Sequence, residues 1–292
     1  MANRINYRTR LALYVVALVT ILIGYRSLKA SDMLEIKVDI GRNIVETAKN
    51  SGAPKFSTRN IAGLVSYSID SLPANIPVTF IKPQFQGSFA PIFALTMYAD
   101  HENNNDLAVT DIVLQFSTDS LKDHSSGQAF VDTLNAQFRV KKWKRHIPAL
   151  CPAVTGRSNY IEADGTIGII EACPLDPSHK MNSAEWRELA IGGLSYEWVG
   201  DGIIAYLLVR APEDSRGITY DVSLEYSDQS IKSKRDEKNW AEKRAEGDKL
   251  GWNSTSKYKA GIIELENKTK VLEANAVKRG DLLVPRETAP KQ

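Results

Sequence analysis

The chain has 292 residues with 37 basic and 35 acidic side chains, a net charge of +2 and a hydrophobic fraction of 43%. This length suffices for one large domain or two small ones, and the composition excludes disordered and fibrous proteins. The first 30 residues hold five basic side chains and no acidic ones, so residues 31–292 carry 32 basic and 35 acidic side chains. That balance gives no electrostatic footprint for nucleic acid, which we therefore exclude as a partner.

Residues 11–25 form an uncharged and mostly apolar run. Fifteen helical residues cover about 22 Å, which is short of a hydrocarbon core of about 30 Å, but flanking arginines and tyrosines can lengthen the span. We predict an uncleaved signal anchor that forms a transmembrane helix. Cleavage after Ala30 and a buried core helix are the alternatives. Basic residues flank the run on both sides: Arg4, Arg8, Arg10, Arg26 and Lys29.

These flanks predict the orientation of the chain. A short, basic N-terminal tail stays in the cytoplasm, and the remainder is exported. In a bacterium this means a single-pass inner-membrane protein with its N-terminus in the cytoplasm and its C-terminal domain in the periplasm. The inner membrane is then its first expected partner.

The pattern from residue 31 onwards indicates an α+β body. Residues 31–49 favour a helix, although residues 34–40 also alternate as a strand would. A helix is predicted over residues 123–138, where apolar residues share one stripe, and a short one over residues 183–190, with Asn182 as its cap. Predicted strands, joined by polar turns, cover residues 63–69, 76–81, 88–98, 107–116, 194–199, 203–210 and 218–227.

The C-terminal part predicts a helical hairpin. Residues 230–248 are strongly charged, and a second helix then carries apolar residues at alternating spacings of four and three. The expected fold is therefore α+β, with an N-terminal transmembrane helix, an antiparallel β-sheet body with packed helices, and a C-terminal helical hairpin. The expected divisions are residues 1–30 for tail and anchor, 31–228 for the body in one or two sheet-bearing halves, 229–280 for the hairpin, and 281–292 for a polar tail.

Cys151 and Cys173 are the two cysteines of the chain. An even number in an oxidising compartment favours a disulfide. Two β-rich runs around Asp164 and Gly165 predict a hairpin whose open end would bring the cysteines together. A zinc site is less favoured because no CxxC is present and the histidines are scattered. A catalytic thiol is less favoured because each cysteine precedes a proline.

No motif in the chain indicates catalysis. Neither GxSxG nor a glycine-rich phosphate loop is present, so we predict no catalytic residue, no cofactor, no metal site and no enzymatic activity. Two histidines, His146 and His179, are the best alternatives for a hidden hydrolase site. Asp100, Glu102, Asn104 and Asp106 could bind Ca²⁺, but the spacing is not that of an EF-hand, and a solvated hairpin tip is favoured.

Recognition of a partner is the remaining expectation. The basic run at residues 141–146 suits anionic lipid or an acidic protein patch, or else a solvated strand with Trp143 turned inward. Tyr and Trp residues cluster around residues 186–226, and any that face outward would form a binding patch. The candidate partner surface comprises Asp100, Asn104, Asp106, Trp143, Lys144 and Trp198.

A basic N-terminal anchor leads into IGRNIVETA, FAPIFALTMYAD, an Asn-rich tip, a Cys-Pro hairpin, YEWVGDG and GWNST. Over most of its length the chain thereby resembles inner-membrane-anchored periplasmic proteins that accompany type VI secretion effectors. This resemblance implies an immunity-type inhibitor of a secreted toxic enzyme. A structural subunit or assembly factor of an envelope or secretion machine, and an envelope hydrolase, are the alternatives. An effector toxin or an envelope subunit is the expected protein partner.

Overall fold

The computed structural model describes residues 35–101, 106–170 and 173–286. They form an α+β fold with a large antiparallel sheet. The helices are α1 (Ile44–Asn50), α2 (His124–Arg139), α3 (Ser183–Gly192), α4 (Gln229–Lys249) and α5 (Ser254–Arg279), with a 3₁₀ helix at Gly156–Tyr160. The strands are β1 (Ile36–Val38), β2 (Ser57–Ile61), β3 (Leu64–Ile69), β4 (Val78–Phe80), β5 (Gly87–Phe89), β6 (Ile92–Asp100), β7 (Val109–Phe116), β8 (Lys144–Arg145), β9 (Leu194–Gly200), β10 (Ile203–Arg210), β11 (Glu213–Asp214), β12 (Gly217–Ile218) and β13 (Asp221–Asp228).

The main sheet has eight strands in the order β2-β3-β6-β7-β13-β10-β9-β8. Short turns join β2 to β3 and β9 to β10, so these neighbours are antiparallel. The β7–β13 pair joins strands from the two halves of the sequence, with Leu114 opposite Leu224. The two sheet-bearing stretches therefore merge into one continuous sheet.

One face of this sheet, the inner face, carries the core. Alternate residues such as Met97, Leu114, Leu224 and Leu207 are fully buried there, as the period of a strand requires. Helix α2 is capped by Asp123, whose side chain accepts a hydrogen bond from the Ser126 amide. The helix then brings Phe138 onto Trp198, with the two rings stacked 3.9 Å apart.

A three-stranded sheet, β1-β4-β5, covers another part of the inner face. Phe80 of β4 stacks on Tyr226 with the ring centroids 4.2 Å apart. The predicted helix over residues 31–49 is therefore wrong at its start, because residues 36–38 are a strand that pairs in parallel with β4. The helix begins only after Asn43, whose side chain caps the amides of Val45 and Glu46.

The cysteine segment confirms one prediction and corrects another. Cys151 and Cys173 form a disulfide with their Cα atoms 5.6 Å apart. The predicted hairpin between them is reduced to a turn with one isolated bridge, Ile161 to Ile167, preceded by the 3₁₀ helix. Leu272 of α5 packs with the two cysteines in a small apolar cluster, so the C-terminal helix is held by this segment.

The expected fold class also needs a correction at the N-terminus. Among the described residues, no helix is both long enough and apolar enough to cross a bilayer. The transmembrane helix predicted at residues 11–25 lies outside the described residues. The fold that the structure describes is accordingly an α+β body with a helical hairpin, without a membrane-spanning helix among its residues.

Candidate functional site

The second face of the main sheet, called here the outer face, is half-buried and mixes polar with apolar side chains. The register places these side chains in two rows that run across the strands. The first row is Arg59, Ser66, Tyr98, Asp111, Ser227, Ile204 and Val199, and the second is Ser68, Thr96, Val113, Glu225, Tyr206 and Glu197.

Two contacts hold helix α4 against this face. Asp228, the last residue of β13, caps the helix by accepting hydrogen bonds from the amides of Ser230 and Ile231, both at 3.0 Å. Two turns later, Arg235 donates two hydrogen bonds to Asp111 of β7, at 3.0 and 3.2 Å. A paired guanidinium–carboxylate contact of this kind fixes both position and orientation. The first two turns of α4 are thereby fastened to β7 and β13.

Asp111 is the centre of a polar network beneath the helix. The Ser227 hydroxyl lies 2.8 Å from Asp111 Oδ1 and 2.7 Å from Glu225 Oε1, and Lys232 Nζ is 3.2 Å from Glu225. Burial raises the pKa of Asp111, but hydrogen bonds from Arg235, Ser227 and Thr110 outweigh it and hold that pKa below its ordinary value. Asp111 is therefore an anion that keeps Arg235 in place.

A groove of about 530 Å³ opens between α4 and the strands beside it. Apolar and charged groups both line it, which gives a binding surface several kinds of contact. A cavity of about 240 Å³ over β2 and β3 shares Leu64 and Tyr98 with the groove, so the concave surface continues towards the edge of the sheet. The groove residues are Ala62, Leu64, Tyr98, Asp100, Asp111, Val113, Glu225, Arg235, Lys238 and Asn239.

The edge of the sheet beside this groove is β2. All five of its residues are exposed, and Ile61 at its end is 69% exposed. Ala62 and Gly63, both with positive φ, form the tight turn into β3. Among the described residues, β2 pairs only with β3.

The structure separates the five described residues of the predicted partner surface. Asp100 lines the groove and is largely buried, and Asp106 is exposed beside the loop. Asn104 lies outside the described residues. Lys144 is exposed at the far edge of the sheet, in β8.

The two tryptophans of the predicted surface belong to the core. Trp143 is 8% and Trp198 3% exposed, and both rings pack on Phe138. They are removed from the candidate surface because both side chains point to the inner face.

Sequence reasoning missed most of the groove. Tyr98, Val113 and Glu225 alternate with buried residues in their strands, so their shared face was available from the period of two. Arg235 and Lys238 belong to the charged helix α4, and no sequence pattern indicates that this helix crosses the sheet. Only the tertiary contacts of α4 bring these residues together.

The two histidines considered for hydrolysis have defined partners. His146 Nδ1 is 2.7 Å from Glu197 Oε2, and His179 Nε2 is 2.9 Å from the Tyr160 hydroxyl. In the part of the chain that the structure describes, neither ring is hydrogen-bonded to a serine or threonine hydroxyl. Over the same residues, no group of three or more His, Cys, Asp or Glu side chains is arranged to hold a metal ion.

Comparison of this chain with protein-family models, with curated proteins and with solved structures yields no match.

Proposed function

We propose that this protein is an exported binding protein that inhibits a secreted toxic enzyme, with the outer-face groove as the surface that holds the enzyme. The observation that carries this proposal is the groove itself, about 530 Å³ between a sheet face and a helix. A concave surface of this size with defined polar groups is the usual form of a binding site.

The side chains in the groove suit a protein partner. Tyr and Arg are the residues most often found in interface hot spots, and Tyr98 and Arg235 both line the groove. Asp100, Glu225 and Lys238 place both signs of charge along it, which favours one partner over others through complementary potentials.

The groove is also formed before any partner binds. The Arg235–Asp111 contact and the Asp228 cap hold α4 on the sheet in the free protein. A preformed site loses less conformational entropy on binding than a mobile one. Tight inhibition of an enzyme, as an immunity-type role requires, depends on such a site.

The disulfide supports the compartment that this proposal requires. Disulfides persist in oxidising compartments such as the bacterial periplasm. Cys151 and Cys173 form a disulfide in this protein. The predicted export of residues 31–292 and the resemblance to immunity-type proteins support the same location. The proposed partner is therefore a toxic enzyme that acts in the cell envelope.

A competition experiment tests this function. Cells that lack the gene are challenged by sibling cells with an active secretion system, and are complemented with the wild-type protein, Val113→Arg or Val140→Arg. Val113 lies in the groove, whereas Val140 follows α2 on the other side of the sheet and is 77% exposed. We expect the wild type and Val140→Arg to protect, and Val113→Arg to lose protection and to lose its retention of the effector in a pull-down.

Equal survival with and without the gene would contradict the proposal. Crosslinking of the protein into a stoichiometric multi-subunit complex in the absence of any toxin would favour the assembly role instead. Protection by Val113→Arg at the wild-type level would remove the groove from the binding surface.

A further inference from the structure

The α4–α5 hairpin extends beyond the sheet that anchors it. From Asp236 to Glu246 every residue of α4 is exposed except Arg244, which is half-buried against Tyr258. In α5, burial begins only at Thr269, in the C-terminal half of the helix. At 1.5 Å per residue the 26 residues of α5 span about 39 Å. The end of the hairpin, residues 249–263, is called here the hairpin tip.

Apolar and aromatic side chains are exposed at this tip. Leu250 is 58%, Trp252 60%, Tyr258 49% and Ile263 59% exposed. Trp252 is held in place because its amide donates to the Gly247 carbonyl at 2.9 Å. Trp and Tyr are the residues that partition into the interface between water and lipid, where an apolar ring meets a polar edge.

The charge of the hairpin has the opposite sign to that of the remaining exported chain. Residues 229–279 carry 13 basic and eight acidic side chains, whereas the rest of residues 31–292 carries 19 basic and 27 acidic ones. Within the tip the asymmetry is complete: Lys249, Lys257 and Lys259 are present and no acidic residue is. The hairpin is therefore suited to an anionic surface, and its tip most of all.

The position of two of these lysines opposes local helix stability. The positive end of the helix dipole lies at the start of α5, and acidic residues are favoured there. The first turn of α5 contains none, and Lys257 and Lys259 follow directly. Asp248 of α4 accepts a hydrogen bond from the Thr255 amide at 3.0 Å and places an anion at this end. Residues that break a local rule are expected at functional sites.

We propose that the hairpin tip inserts into the head-group region of an anionic phospholipid bilayer, with Trp252 and Tyr258 in the interface and the three lysines on lipid phosphates. A protein partner would also accept exposed aromatic residues. A lipid surface is favoured because residues 249–263 hold three lysines and no acidic residue, together with rings and aliphatic side chains, at the end of a projecting element. The outer-face groove takes no part in this contact.

The full-length chain is titrated with vesicles whose acyl chains carry bromine, which quenches nearby tryptophan fluorescence. One set contains phosphatidylcholine alone, and the other contains phosphatidylcholine with phosphatidylglycerol. Trp143, Trp186 and Trp198 are buried, so the exposed Trp240 and Trp252 dominate the quenchable emission. These two are matched at 59% and 60% exposure, but Trp240 lies about 15 Å further down α4.

We expect quenching with the phosphatidylglycerol vesicles for the wild type and Trp240→Phe, and its loss in Trp252→Phe. The triple variant Lys249→Glu, Lys257→Glu, Lys259→Glu should need about tenfold or more lipid for the same quenching. It should keep its fold, because all three positions are exposed and the two changes at the start of α5 agree with the helix dipole.

Binding of the vesicle through another segment differs from binding through the tip in which of the two exposed tryptophans is quenched. Equal quenching of the two exposed tryptophans would overturn the proposal, as would quenching that is unchanged in the triple variant or equal in both sets of vesicles. The surface would instead belong to a protein partner if the vesicles did not quench Trp252 and Trp252→Phe abolished the capture of a bound protein.

Discussion

At the scale of single residues, close packing can outweigh helix propensity in the effect of a substitution on stability. Gly127 lies in the first turn of α2, and a Cβ there would be 2.1 Å from Tyr220 Cζ. The Tyr220 ring cannot move aside freely, because its hydroxyl accepts from Trp186 Nε1 at 3.2 Å and the residue is only 4% exposed. The small size of residue 127 is therefore a requirement of the core.

Gly127→Ala should destabilise the protein even though alanine favours a helix by about 1 kcal/mol. We expect a net loss of about 1–3 kcal/mol from overpacking against Tyr220. Gly261→Ala is the matched control, since a Cβ at this position in α5 meets nothing within 4 Å. It should leave stability equal or raised by up to about 1 kcal/mol. Urea unfolding of the two variants measures both values, and a stable Gly127→Ala would contradict the packing argument.

At the scale of elements, the disulfide segment and α5 depend on each other. Leu272 packs on the cysteines, and the Thr269 hydroxyl donates to the Leu150 carbonyl at 2.7 Å. Glu273 accepts from the Ala153 amide at 2.9 Å. The base of the hairpin is thus held by a segment that has little regular structure of its own.

Removing the disulfide should therefore loosen this base as well as lower global stability. The 22-residue separation predicts a loss of about 3 kcal/mol for the Cys151→Ala, Cys173→Ala variant through loop-closure entropy. Amide hydrogen exchange should rise in α5 near Leu272 and remain low in β10 and β13. Exchange that rises equally in all three elements would show that the segment has no particular link to α5.

Elements with one clear period were predictable, and those without one were not. Strand β13 alternates polar and apolar residues from Asp221 to Tyr226, and α2 carries one apolar stripe, so their type and their buried faces follow from the sequence. Strand β2 is exposed on every residue and has four polar residues before Ile61, which leaves no hydrophobic pattern. Residues 36–40 fit both the helical spacing and the alternation of a strand. Only the pairing of Ile36 with Val78 shows that the segment forms a strand.

The candidate site needed information of longer range. Alternation shows which residues share a face, but it does not show which face of the sheet the helices cover. Trp143 and Trp198 were assigned to the surface for that reason, and α2 buries them. The groove depends on a contact between residues 111 and 235, which are 124 positions apart. No local pattern in the sequence contains such a pairing.

At the scale of the whole molecule, buried carboxylates make stability depend on pH. Asp111 and Asp176 are both largely buried, and in both cases hydrogen bonds and a nearby arginine outweigh burial and lower the pKa. A lowered pKa in the folded state means that each anion contributes stability above the ordinary aspartate pKa. That contribution is lost as the pH falls through the lower folded value. Stability should therefore fall below about pH 4.

Asp111→Asn tests this dependence and the attachment of α4 together. It leaves Arg235 without its anion, so we expect a loss of about 2–3 kcal/mol at pH 7. The loss should be smaller at pH 3, because the unfolded wild type then binds a proton at Asp111 that it must release to fold with this anion. Asp119→Asn is the control, since Asp119 is exposed on a turn, and its stability should follow the wild type at both values. Urea midpoints at pH 7 and pH 3 measure the difference, and an equal loss at both would mean that the charge of Asp111 does not hold α4 on the sheet.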